Sequence, residues 1–470
     1  MSQCNITMNQ KQLFEHLPAF VEKMQRENLS PAVIETFEYY YKKAISGEKG
    51  LLPGCDLIRI GKDEIKHIDH LRHFAYVGKK ALKNCVVIIL NGGLGTSMGL
   101  TGPKSLIEAK DGKTFLEIIL SQTQNLNVSL ALMNSFNTHE NTLSAVSRLS
   151  PSNIPLMFVQ NKFPKILQKG FKPALWQKNP LLEWNPPGHG DIYNALYSSG
   201  VLDELINRGI IYAFIANCDN LAACLDESLL GYFVEIDAPI MMEVSDRTPS
   251  DMKGGHLAKT KSGQFILRES AQCPDEEIKT FSDINFYCFF NTNNLWINLN
   301  AFKDYFKNNN KILLPMILNS KTLDPRDETS PSVFQIETAM GSAISLFDGS
   351  LVVKVPRSRF FPVKKCNELL AIRSDYYLWT DQNHIIMNPK RKTDNLKINL
   401  DSVYFGKIDQ FESRFKAGIP SLVDCESLDI KGDVIFEKNV RIVGKVKIEN
   451  KSNKQAVIEE GKVIDSDIIY

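Results

Sequence analysis

From Val86 to Leu90 five apolar residues run without interruption, and the amphipathic stretch TFLEIILSQTQNL begins at Thr114. The same exchange recurs along the chain. VSLALM at 128–133 precedes HENTLSAVSRL, IPLMFV occupies 154–159, and IIYAFIA at 210–216 follows the helix-like IYNALYSSGVLDELINRG. Short continuous apolar runs alternating with amphipathic segments predict an α/β fold with a mostly parallel sheet and helices on its faces. Ahead of this core, Phe14, Leu17, Phe20, Val21 and Met24 have helical spacing, and the polar stretch Gly47 to Gly50 interrupts the pattern. The expected organisation is a helical segment over 1–82 and a catalytic core over 83–380.

The period changes over 381–470. Leu422, Leu428, Val434, Val440 and Val446 recur every six residues, and Ile430, Phe436, Ile442 and Ile448 follow two positions behind. A six-residue apolar period predicts a β-solenoid with two inward positions per face and Gly432 and Gly444 at its corners. Two hairpins with alternating residues are the other arrangement that this spacing allows. A solenoid has open ends, which need a cap or a partner.

Composition narrows the class of protein. The 470 residues are 43% hydrophobic and 23% charged, the profile of a folded globular chain. Lys+Arg total 55 against Asp+Glu 54, a formal net charge of +1, so no overall field draws the chain to nucleic acid or to an anionic membrane. No apolar run approaches the roughly 18 residues of a membrane span. Nine cysteines without a CxxC pair suit a reducing compartment, and the N-terminus lacks the basic-then-apolar layout of a signal peptide, so a cytoplasmic protein is expected.

The densest chemical signal follows the first strand, in Asn91–Gly92–Gly93–Leu94–Gly95–Thr96–Ser97–Met98–Gly99–Leu100–Thr101–Gly102–Pro103–Lys104–Ser105. Closely spaced glycines let backbone N–H groups converge on an anion. The loop is not a Walker A motif, because Pro103 separates Gly102 from Lys104, and the spacing to Gly99 misses the dinucleotide fingerprint. It resembles the signature of the eukaryotic-type UDP-glucose pyrophosphorylases. Further blocks of that family follow in order: Gln160–Pro164, Trp184–Asp191, Ala216–Leu221, Lys253–Gly255, Phe290–Trp296, Gln335–Gly341 and Val355–Lys364. The resemblance implies a Rossmann-like nucleotidyltransferase core and, for the hexad repeat, a left-handed parallel β-helix.

It also implies a reaction: the phosphate of glucose 1-phosphate attacks the α-phosphorus of UTP, giving UDP-glucose and pyrophosphate. Such chemistry needs positioning and charge neutralisation rather than a nucleophilic side chain. The resemblance makes Lys104 and Lys364 the catalytic cations and Asp219 the ligand of Mg²⁺. Lys365 is adjacent, and the choice of Lys364 rests on its spacing after Pro362–Val363. Leu90, Gly92, Gly93 and Asn217 are implied nucleotide contacts, with Gln160 and Gly188 on uracil and His189 near the phosphates. Gly255, Glu269, Asn291 and Asn293 are implied on the hexose. One departure stands out: where many relatives have Lys-Thr before the Lys-Gly-Gly block, this chain has Arg247–Thr248. Pyrophosphorylases for N-acetylhexosamine 1-phosphate or several sugar phosphates, and a non-catalytic nucleotide-sugar-binding regulator, are the rival readings. Self-association through the C-terminal repeat is a further expectation.

Overall fold

Local sequence signals set the elements one after another. Pro18 opens α1 (Leu17–Arg26), which buries Phe20 and Met24, and Pro31 opens α2 (Pro31–Ile45), which buries Phe37, Tyr40 and Tyr41. The rings of Phe20, Phe37 and Tyr41 lie 4.8–5.8 Å apart and join the two helices. After α3 (Ala75–Ala81) comes β1 (Cys85–Asn91), buried at every position. A capping box between Thr114 and Glu117 starts α4 (Phe115–Asn125), followed by β2 (Ser129–Asn134), α5 (His139–Leu149) and β3 (Leu156–Val159). Then come α6 (Ile192–Ser198), β4 (Tyr212–Asn217) and α7 (Glu227–Ile236), the last capped by the Asp226 carboxylate. Each of the four apolar runs of the core thus forms a strand. Next are β5 (Ile240–Asp246), the strands β6 (His256–Thr260) and β7 (Phe265–Arg268), β8 (Phe289–Asn298) and β9 (Leu351–Lys354). The C-terminal region adds β10 (Lys397–Leu400), β11 (Ser421–Lys431), β12 (Val434–Phe436), β13 (Arg441–Glu449), β14 (Ala456–Ile458), β15 (Val463–Ile464) and β16 (Ile468–Ile469).

The structure is a computed structural model and describes residues 14–48, 50–252, 254–381, 383–393 and 396–470. Cys4 and Lys253 lie outside the described residues. The chain forms two compact units. One gathers residues up to Ile88 with Leu156–Ile215 and Asp226–Pro356, the other Ile89–Pro155, Ala216–Leu225 and Arg357–Tyr470.

In the first unit β9, β5, β8 and β4 lie side by side in a large mixed sheet. β5 is parallel to β9, whereas β8 is antiparallel to both β5 and β4. No simple apolar run announces β8, and it enters the sheet beside the β6–β7 hairpin instead of through a crossover helix, which permits the antiparallel direction. Against this sheet α3 and α7 meet at glycines. A Cβ on Gly78 would stand 1.8 Å from the Glu227 carbonyl oxygen, and one on Gly231 2.0 Å from that of Phe74, so the two backbones touch with no room for a side chain.

In the second unit, β10, β11, β13 and β15 pair in parallel, with β16 also on β13 and β12 on β14. Leu428 pairs with Val446 and Ile430 with Ile448. Both hexad rows are buried, Val434 and Val440 at 0% and 1% exposure. Parallel pairing excludes hairpins here, because a hairpin makes its strands antiparallel. Among the described residues no helix is long and apolar enough to cross a membrane.

Candidate active site

In the second unit, the end of β1 is fixed by a polar ladder. Asn91 Nδ2 donates to Asn134 Oδ1 at 2.7 Å and to Thr142 Oγ1 at 2.9 Å, while Thr138 Oγ1 donates to the Asn91 carbonyl and Ser135 Oγ to that of Gly92. The glycine loop leaves this anchor and folds back on itself. Met98 and Leu100 N–H groups donate to Gly95 O, and the Lys104 N–H donates to Gly93 O at 3.2 Å. The return places Lys104 beside the strand from which the loop began. A Cβ on Gly93 would meet nothing within 4 Å, so the loop leaves open space at that glycine.

Two further segments reach the same point. The Cys218 N–H donates to Leu90 O, setting Asn217–Cys218–Asp219 against the end of β1. Asp219 and Asn220 then hold the Val355–Lys364 block: Val363 N–H donates to Asp219 O at 3.0 Å, Phe361 N–H to Asn220 Oδ1 at 2.9 Å, and Asn220 Nδ2 to Arg359 O. Ser97 Oγ donates to the Lys364 carbonyl at 3.0 Å, joining that block to the glycine loop.

The result is convergence of three charges. Lys104 Nζ lies 2.6 Å and Lys364 Nζ 2.8 Å from the same oxygen, Oδ2 of Asp219. Burial pushes the Asp219 carboxyl up, but the ammonium groups of Lys364 and Lys104 outweigh it and hold it below the ordinary carboxylate range. Its other oxygen, Oδ1, is buried without a hydrogen-bond partner among the described residues. The two lysines differ in freedom, with 10% of the Lys104 side chain exposed against 59% for Lys364. Lys365 is exposed and uses its N–H on Glu368 in the following turn.

The candidates for base and sugar lie in the first unit. Gln160 is buried directly after β3. Gly188 has φ +77°, and a Cβ there would come 2.5 Å from Thr338 O. His189 Nδ1 accepts the Met340 N–H at 3.0 Å, which leaves Nε2 to carry the proton of the neutral ring. Glu269 and Gly255 face each other, a Gly255 Cβ falling 2.6 Å from Glu269 Oε2, and burial pushes the Glu269 carboxyl up to about 7. Asn291 and Asn293 are partly spent on each other: Asn291 Nδ2 donates to Asn293 Oδ1 and the Asn293 N–H donates to Asn291 Oδ1, both at 2.9 Å.

Arg247 points inward. Its guanidinium donates to the carbonyls of Phe281, Asp251 and Met252 at 2.9–3.1 Å and to that of Tyr287 at 3.4 Å. The planar fork that distinguishes this residue from a lysine ties the 248–252 turn to the 281–287 segment. Sequence reasoning missed this clamp, the Asn91 ladder and Ser97. Asn91 alone left a signal, as a polar residue closing an apolar run.

Comparison with known proteins matches this architecture closely. A family model described as UTP–glucose-1-phosphate uridylyltransferase matches residues 34–443. Among similar proteins, UTP–glucose-1-phosphate uridylyltransferase of Solanum tuberosum is 42% identical over 395 residues, covering 82% of this chain and 81% of that protein. The protein of that name from Encephalitozoon cuniculi is 36% identical over 466 residues, 97% of this chain and 92% of its own length. A variant of Leishmania major UDP-glucose pyrophosphorylase, solved in complex with UDP-glucose, superposes with a TM-score of 0.88 at 40% identity, covering 97% of this chain and 99% of that one.

Proposed function

The chain belongs to the UTP–glucose-1-phosphate uridylyltransferase family, and we infer that it makes UDP-glucose and pyrophosphate from UTP and glucose 1-phosphate, and runs the reverse reaction. The observation that carries the reading is the meeting of Lys104, Asp219 and Lys364 at the end of the glycine loop.

In the forward direction a phosphate oxygen of glucose 1-phosphate forms a bond to the α-phosphorus of UTP as the bond to the β-phosphate oxygen breaks and pyrophosphate leaves. Negative charge crowds the reacting centre, so fixed cations aimed at it lower the barrier. Lys104, buried and held at the loop's return, is the stationary charge in this reading. Lys364, mostly exposed and held by an ion pair, can leave Asp219 for a phosphate oxygen. The loop around Leu90, Gly92 and Gly93, with Asn217, cradles the phosphates through backbone N–H groups, and His189 takes a place near them. Gln160 and Gly188 face uracil. Gly255, Glu269, Asn291 and Asn293 face the hexose, where the N–H groups left over from the Asn291–Asn293 pair are available to hydroxyls.

Asp219 suits Mg²⁺. Among the described residues its Oδ1, a hard oxygen donor, has no hydrogen-bond partner and no group of three His, Cys, Asp or Glu converges, so phosphate oxygens and water would complete the shell. When bound, the ion supplies charge neutralisation on the triphosphate. The parallel pairing of β10–β16 supports a left-handed β-helix in addition to the Rossmann-like core, and the open ends inherent to such a helix favour self-association. Eight described cysteines, all free, support a cytoplasmic location.

A pyrophosphate-release assay with UTP, Mg²⁺ and a panel of sugar 1-phosphates tests the assignment. The expected result is release with glucose 1-phosphate well above that with N-acetylglucosamine 1-phosphate. Preference for the latter, or no release with any sugar, would overturn it.

A further inference from the structure

Asp191 stands where an aspartate ordinarily caps a helix, immediately before α6, yet its side chain makes no capping bond. Its carboxylate turns to a different segment. Oδ2 accepts the Asn161 backbone N–H at 2.6 Å, and Oδ1 accepts Asn161 Nδ2 at 2.9 Å. Asp191 is 5% exposed, so both bonds form away from bulk water, where each is worth most and its loss costs most. The gripped N–H belongs to the peptide that joins Gln160 to Asn161, so the grip fixes the backbone from which the Gln160 side chain projects. At the other end, the Asp191 N–H donates to Gly188 O, closing the turn that contains Gly188 and His189. That turn is held in place by the Thr338 N–H on Pro187 O and by the Met340 N–H on His189 Nδ1.

We propose that Asp191 is a positioning residue for base selection, clamping the Gln160–Asn161 peptide to the Gly188–His189 turn so that the two uracil-facing elements keep one spacing. The proposal rests on the reading of Gln160 and Gly188 as the base site. Burial pushes the Asp191 carboxyl up to about 7, and the two hydrogen bonds from Asn161 offset that rise in part.

The pair can be reversed by substitution. In Asn161→Asp two carboxylates face each other at the present 2.9 Å contact, and they hold together only while they share a proton. The expected result is a KM for UTP raised roughly tenfold or more at pH 8, largely recovered at pH 6, with lower preference for UTP over CTP. The double variant Asp191→Asn/Asn161→Asp restores a donor–acceptor pair and should recover wild-type KM at both pH values. An Asn161→Asp enzyme with wild-type KM and base preference at pH 8, or a double variant no better than that single variant, would overturn the clamp. If Asn161→Asp fails to fold, the double variant decides: it must fold and select UTP as the wild type does. Gln160→Leu is measured in parallel. Unchanged base preference there sinks the base-site reading itself, whereas lost preference in Gln160→Leu with none lost in Asn161→Asp sinks only the clamp.

Discussion

At Lys364 most of the side chain is exposed and an ion pair to Asp219 holds it, so its removal disturbs little besides charge at the proposed reaction centre. Lys364→Ala should therefore lower kcat by roughly 10²–10³ with a smaller change in KM, the pattern of an interaction made mainly in the transition state. Lys365→Ala is the internal control, and a larger loss there would place the reacting cation one residue later. His256 gives a residue-scale prediction about stability. It is fully buried, stacked on Tyr287 at 3.6 Å, and neither ring nitrogen has a hydrogen-bond partner among the described residues. Burial, with the charges of Arg247 and Arg268, pushes its pKa down to about 3. The unfolded chain protonates this imidazole near its ordinary value of about 6.5, so the contribution to stability is complete above that pH and is lost as pH falls toward 3. His256→Phe keeps a ring on Tyr287 and removes the titration. Its melting temperature should fall less than that of the wild type between pH 7 and pH 4.5, and equal slopes would show that His256 does not titrate in this way.

Among the elements, the packing of α3 on α7 depends on two glycines whose Cβ positions are occupied by backbone. Gly231→Ala must separate the helices and should cost about 2–3 kcal/mol, read in denaturant unfolding, because rigid backbone cannot yield as a side chain would. A loss below 0.5 kcal/mol would show that the crossing relaxes. Elements that carry their signal locally were legible in the sequence: β1 as an apolar run, the glycine loop as a cluster, the C-terminal rows as a period of six. Features made by partners distant along the chain were not. Asn91 meets Asn134 and Thr142, and Arg247 reaches the carbonyls of Phe281 and Tyr287, and no spacing rule announces these pairings. The direction of β8 was hidden for the same reason, since its antiparallel partners β4 and β5 lie far from it along the chain. For the candidate site, the residue types were readable from family blocks. That Ser97, Val363 and Asn220 bind those blocks together needed the structure.

On the scale of the whole molecule, the proposed chemistry and the C-terminal strands are separate parts of the chain. Val440 is 1% exposed within a row of inward apolar residues, remote in sequence from the glycine loop. Val440→Asp would bury an unpaired charge and should destabilise the C-terminal parallel strands by several kcal/mol, seen as a lowered melting temperature or altered assembly. An unchanged melting temperature and assembly state would mean that the row does not act as a core. Asp219 holds both lysines on one oxygen, and in the proposed function it also holds the metal at the triphosphate. Asp219→Asn keeps the side chain's shape and removes its charge, so the decisive measurement is kcat for pyrophosphate release as a function of Mg²⁺ concentration, on a variant shown by circular dichroism to be folded. The expected result is a fall in kcat of at least about 10²-fold and a raised Mg²⁺ requirement. A folded Asp219→Asn enzyme with wild-type kcat and wild-type Mg²⁺ dependence would contradict it.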